Sequence, residues 1–191
     1  MKKLKSYLIT DPKYYTSDPD DFSKILTNTL SNNKIDIACF RDKTSSNTTQ
    51  LIKIFIKICK QHGINQILVN SDIDLAIKLG ATGIHLNSKQ FDKIIYAKKN
   101  NLYTIISCHT QNDIKLAITN GADAITYSPI FTTPNKGEPK GINTLIEVLD
   151  KFNIPIIALG GIVTSKQINQ IKKTKSYGFA SIRYFVSNNL V

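Results

Sequence analysis

Cysteine is scarce in this chain, with only Cys39, Cys59 and Cys108. The number is odd, the spacing is wide and no CxxC pair occurs, so neither a disulfide framework nor a zinc site follows. No apolar run is long enough to span a bilayer. Met1-Lys2-Lys3-Leu4-Lys5 leads straight into a strand-like segment and does not resemble a signal peptide. A cytoplasmic protein with no membrane partner is expected. No Pro/Gly/Ser-rich linker divides the chain, so residues 1–191 are expected to form one domain. Acidic residues are also few: 14 Asp and Glu face 25 Lys and Arg, a formal net charge of +11. A basic balance can signal a polyanionic partner. Here the lysines are spread along the chain, as at Lys53, Lys57, Lys60, Lys78 and Lys98. Spread charge favours solubility over a binding groove, so no nucleic-acid partner is expected.

What is present is alternation. Short β-branched or apolar runs occur at residues 4–9, 35–40, 66–69, 82–86, 103–107, 122–127, 154–159 and 178–182. Between them lie amphipathic segments. Leu51, Ile54, Phe55 and Ile58 recur at helical steps, and a second set (Leu75, Ala76, Ile77, Leu79) stops at Gly80. Strand followed by helix, repeated, implies parallel strands with crossovers. Eight such units imply a closed (β/α)8 TIM barrel, with an open doubly wound sheet as the alternative. With 191 residues the barrel is compact, since about 200 to 250 are usual. Little chain follows the last strand, so the final helix is expected to be truncated. One flank is then expected to be bare unless the tail or a second copy covers it, which makes a homodimer contact possible. The one long loop, residues 128–141, follows the sixth strand and carries Pro129, Pro134, Gly137 and Pro139.

Active sites in such barrels lie at the C-terminal ends of the strands. Strand alternation places Ile35, Ile37, Cys39, Arg41 and Lys43 on one face, apolar first and cationic last. Two adjacent cations repel unless an anion joins them; otherwise they project to water or pair with Asp42. Asn70 is a neutral polar group at the third strand's end, with Ser71 or Asp72 suited to capping the next helix. Ser107 and His109 share a face at the end of the fifth strand, and His109 is the best general acid or base candidate. His62 reads as a surface residue at a helix end. His85 could point into the barrel or orient a neighbour. Gly160-Gly161 after the seventh strand lets the backbone approach an anion, or simply makes a turn. Ile182 and Arg183 end the eighth strand beside it, although Arg183 could point outward. Barrels often hold phosphate after these two strands.

An ordered set of segments, including Tyr7-Leu8-Ile9-Thr10-Asp11, Arg41-Asp42-Lys43, Leu68-Val69-Asn70, Gly83-Ile84-His85-Leu86, Ser107-Cys108-His109-Thr110, Ser128-Pro129-Ile130-Phe131 and Ala158-Leu159-Gly160-Gly161-Ile162, resembles the thiamine phosphate synthase/TenI family. The resemblance implies two possible activities. The synthase joins a pyrimidine pyrophosphate to a thiazole phosphate with magnesium. The TenI branch is a thiazole tautomerase that shifts a proton to aromatise a carboxythiazole phosphate. In either case it assigns Gly160, Gly161, Ile182 and Arg183 to the phosphate of a small phosphorylated thiazole, the first three mainly through backbone. Cys39, Arg41 and Lys43 stand where the synthase has Gln, Arg and Lys. Asn70 is followed by Ser71 instead of a magnesium-binding Asp, and Gln90 stands at the second metal carboxylate. Magnesium prefers anionic oxygen ligands, so the resemblance implies a tautomerase without cofactor. Its proton-moving group is His109, with Ser107 positioning substrate. Thr133 and Lys136 match residues near the phosphates, and Asn135 replaces a second threonine. A synthase using Mg2+ through Asp72 or Asp92 remains open, as does a binder without catalysis.

Overall fold

The computed structural model describes residues 3–134 and 136–187. Its eight strands are β1 (Lys5–Ile9), β2 (Ile37–Phe40), β3 (Gln66–Asn70), β4 (Gly83–Leu86), β5 (Tyr103–Cys108), β6 (Ala124–Tyr127), β7 (Ile156–Leu159) and β8 (Gly178–Ser181). Each pairs in parallel with the next, and β8 pairs back onto β1 through Tyr7↔Ala180 and Leu8↔Ser181. The sheet therefore closes, which decides for the barrel over the open doubly wound alternative. Its helices are α1 (Pro12–Tyr15), α2 (Pro19–Asn32), α3 (Thr48–Gln61), α4 (Ile73–Leu79), α5 (Ile94–Lys99), α6 (Gln111–Thr119), α7 (Gly141–Lys151), α8 (Ser165–Lys172) and α9 (Tyr184–Ser187).

Local chemistry sets the boundaries. Asp72 accepts a hydrogen bond from the Leu75 N–H and caps α4, as its side chain suggests. Gly80 ends that helix in the left-handed region, where a Cβ is unfavourable. Thr110 with Asp113 and Thr164 with Gln167 form reciprocal capping boxes at α6 and α8. These caps lie just beyond β5 and β7, so they also fix where two mouth segments leave the barrel.

Alternation divides the apolar residues into two cores. Tyr7, Ile9, Ile37, Cys39, Leu68, Ile105, Ala124, Ile157 and Ala180 fill the barrel interior. A larger shell, including Leu8, Phe40, Phe55, Ile84 and Cys108, packs between strands and helices. All three cysteines are free and buried. Among the described residues the last helix spans four, Tyr184–Ser187. The flank expected to be bare there is nevertheless covered: Phe185 stacks on Phe179 of β8 at 5.7 Å, and Tyr184 packs edge-on against both. Phe179 and Phe185 are buried. Residues 188–191, the tail named as one possible cover for that flank, lie outside the described residues.

Candidate active site

A cavity of about 600 Å³ opens at the C-terminal ends of the strands. Ile9, Leu159 and Ala180 contribute apolar lining, and its polar wall comes from the ends of seven strands and the segments that follow them. Arg41, Lys43, Asn70, Ser107, His109, Thr133, Lys136, Gly160, Gly161, Ile182 and Arg183 all line it. The structure thus gathers every sequence-nominated site residue except one. Cys39 points inward as alternation requires but ends one layer too deep, fully buried between Ile9 of β1 and Leu68 of β3. It does not line the cavity, and burial pushes its thiol up to about 12. The position is part of the barrel core, not a substrate contact.

The lining is one-sided in charge. Arg41, Lys43, Lys89, Lys136 and Arg183 carry positive charge, and no carboxylate lines the cavity among the described residues. Arg41 is partly neutralised from behind, since its Nη1 donates to Asp11 at 2.6 Å. It does not pair with Asp42, whose carboxylate accepts hydrogen bonds from Thr44 and Ser45. Excess positive charge in a concave site favours an anionic ligand. Lys89 was not singled out from the sequence, because loop residues carry no periodicity that announces their direction.

The Gly160-Gly161 turn serves close packing as well as backbone exposure. Both residues have positive φ, 97° and 67°. A Cβ on Gly160 would lie 2.8 Å from Pro129 Cα, and one on Gly161 2.5 Å from the Thr132 carbonyl. The Phe131 N–H donates to the Gly160 carbonyl at 3.0 Å. The long loop after β6 is therefore seated directly on the turn after β7. Ser181 anchors the opposite side: its hydroxyl donates to the Ile162 carbonyl at 2.7 Å and accepts from the Tyr184 N–H. Asn135 lies outside the described residues.

His109 is held from two sides. Its backbone N–H donates to Asp113, the same carboxylate that completes the α6 capping box. Its Nδ1 lies 3.1 Å from the Ser128 carbonyl oxygen. The Ser128 hydroxyl oxygen lies 3.3 Å from the same nitrogen, but the carbonyl is nearer and only accepts, which favours a proton on Nδ1 and, in the neutral ring, leaves the lone pair on Nε2. Nε2 has no hydrogen-bond partner among the described residues. This is the tautomer a general base at the cavity wall requires.

His85 behaves differently. It is buried, with Nδ1 2.8 Å from the Tyr7 hydroxyl and Nε2 3.1 Å from Ser107 Oγ. Burial, with Arg41 nearby, pulls its pKa down to about 4, so the ring is neutral near pH 7. It points into the barrel, one of the two placements open to it, within hydrogen-bond distance of Ser107. His62 is exposed at the end of α3, as expected.

The donors where the resemblance expects magnesium carboxylates do not suit that ion. Ser71 and Gln90 are uncharged, and Gln90 is already engaged: its Oε1 accepts from Asn87 and its Nε2 donates to the Ser71 carbonyl. Asp72 is occupied as a helix cap, and neither it nor Asp92 lines the cavity. Magnesium needs hard anionic oxygens beside its waters, and this wall presents ammonium and amide groups instead.

Comparison with known proteins gives consistent matches. The family described as thiamine monophosphate synthase (TMP-TENI) matches residues 6–185. A thiamine-phosphate synthase of Pelagibacter ubique is 33% identical over 96% of this chain and 88% of its own length. One from Clostridioides difficile is 30% identical over 95% of this chain and 87% of its own length. Among solved structures, a thiamine phosphate pyrophosphorylase from Pyrococcus furiosus superposes with a TM-score of 0.80 at 21% identity, covering 98% of each chain. That last likeness speaks to the fold alone.

Proposed function

The chain belongs to the thiamine monophosphate synthase family, and we propose that within it this protein is a thiazole tautomerase of the TenI kind. The observation that carries this reading is the His109 imidazole, held at Nδ1 by the Ser128 carbonyl and with Nε2 unpartnered among the described residues, at the wall of a cationic cavity. Nε2 takes a proton from the ring carbon of a carboxythiazole phosphate and returns it where aromaticity is completed. Nothing is gained or lost overall, so neither oxidant nor metal is needed. Gly160, Gly161, Ile182 and Arg183 hold the phosphate. Arg41, Lys43 and Lys89 face the remaining negative charge, and Ser107 orients the ring.

A second reading is a thiamine phosphate synthase, favoured by the names of the curated relatives. It requires the departing pyrophosphate to be neutralised, and here lysine and arginine side chains would have to supply most of that charge. One assay pair separates the two. Under the tautomerase reading, the non-aromatic thiazole carboxylate phosphate is converted equally with and without EDTA, and His109→Ala lowers turnover about 100-fold or more. Robust magnesium-dependent coupling of pyrimidine pyrophosphate to thiazole phosphate, without tautomerase turnover, would replace the proposal with the synthase.

A further inference from the structure

We propose that Tyr7 and His85, buried beneath the cavity, are positioning residues that fix Ser107 as a hydrogen-bond donor toward the ligand. The geometry is a chain running upward through the barrel core. The Tyr7 hydroxyl lies 2.8 Å from His85 Nδ1, and His85 Nε2 lies 3.1 Å from Ser107 Oγ. Thr126 adds two longer contacts, with Oγ1 3.4 Å from Ser107 Oγ and 3.5 Å from His85 Nε2. Tyr7, His85 and Thr126 are buried, whereas Ser107 lines the cavity.

The direction of the chain follows from counting donors and acceptors. A neutral imidazole has one N–H and one lone pair. The Tyr7 hydroxyl has one proton and two candidate acceptors, His85 Nδ1 at 2.8 Å and the Cys39 thiol, with which it is also in hydrogen-bond contact. Cys39 directs its own proton toward the Phe40 carbonyl at 3.6 Å. An imidazole nitrogen accepts far better than a thiol sulfur, so the Tyr7 proton goes to Nδ1. Nε2 then carries the imidazole proton and donates to Ser107 Oγ. Ser107 Oγ thus receives bonds from below, from His85 and from the Thr126 hydroxyl, which donates to it at 3.4 Å, and among the described residues no other acceptor for its proton is within reach. The remaining direction is the cavity. Ser107 accordingly selects ligands that present a lone pair there, such as a carboxylate oxygen or a ring nitrogen.

His109 and His85 thereby take opposite tautomers, Nδ1–H at the wall and Nε2–H in the core. The reverse chain would run Ser107 to Nε2 and Nδ1–H to Tyr7. It would make Ser107 an acceptor only, and the ligand a donor.

The inference rests on the tautomerase reading only for the identity of the ligand. The first test therefore uses the protein alone. Nitrogen-15 spectra of histidine-labelled protein at pH 7 should show one ring with protonated Nε2 and bare Nδ1, assigned to His85 by its loss in His85→Gln. A protonated Nδ1 on that ring overturns the proposal. Tyr7→Phe should alter this signal, and an unchanged spectrum removes Tyr7 from the chain. The second test is calorimetry with aromatic thiazole phosphate and with inorganic phosphate. Ser107→Ala should weaken the thiazole phosphate about tenfold, one hydrogen bond's worth, and leave inorganic phosphate unchanged. Equal affinities for thiazole phosphate in wild type and Ser107→Ala overturn the donor role. A wild type that binds no thiazole phosphate defeats the functional reading instead, and the tautomer spectrum still decides this one.

Discussion

At the scale of single residues, depth in the barrel matters as much as direction. Cys39 and Arg41 share the inward face of one strand, yet only Arg41 reaches the cavity. Cys39→Ala should therefore leave KM within about twofold while costing roughly 1–2 kcal/mol of stability through lost packing. Steady-state kinetics and thermal melting separate the two effects. The same burial keeps the thiols protonated. Native protein at pH 8 should resist alkylation at Cys39, Cys59 and Cys108, with all three reacting once guanidinium unfolds it; rapid native labelling of Cys39 would contradict its placement. His85 adds a pH signature. Its folded pKa of about 4 lies below the ordinary 6.5. Between those values the unfolded chain binds the extra proton, so stability rises with pH across that window and falls on acidification. The loss approaches roughly 3 kcal/mol by pH 4. Melting curves from pH 4 to 7 should show this slope, flattened in His85→Gln.

At the scale of elements, the strands were legible because β-branched runs and period-two alternation are local properties. Alternation placed Ser107 and His109 on one face and Cys108 on the other, which the two cores bear out. The helix stop at Gly80 and the Asp72 cap were equally local. What alternation cannot supply is register between strands. That is why alternation could not correct the family resemblance, which set Cys39 beside Arg41 and Lys43, and why the Tyr7–His85–Ser107 chain, which joins β1, β4 and β5, was not visible. Lys89 escaped for a related reason, since its direction is set by a loop. The bond from His109 to the next helix is of this same kind: Asp113 accepts from both the His109 and Thr110 N–H groups. Asp113→Ala should cost about 1 kcal/mol of stability through the lost cap. Under the tautomerase reading it should also lower kcat more than it raises KM, because it releases the base and leaves the phosphate cup intact. A rise in KM alone would place Asp113 outside the positioning of His109.

At the scale of the molecule, barrel closure and the proposed phosphate cup share a seam. β8 meets β1, with a Cβ on Gly178 already too close to the Lys5 carbonyl at 2.7 Å. The chain then turns through Ile182 and Arg183 into the four residues of α9. Among the described residues after that turn, Phe185 is the buried apolar anchor. It stacks on Phe179, meets Tyr184, and its carbonyl accepts from Asn33 at the end of α2. Truncating it therefore acts on stability and on the cup together. Phe185→Ala should lower stability by about 3–5 kcal/mol and weaken inorganic phosphate binding in the folded fraction. Phe55→Ala, an equally buried change in α3 on another flank, should lower stability comparably and leave phosphate affinity unchanged. Calorimetry well below each melting temperature reads the difference. Equal affinities in both variants would mean that the cup is held by β7 and the loop after β6 alone, independent of how the barrel is closed.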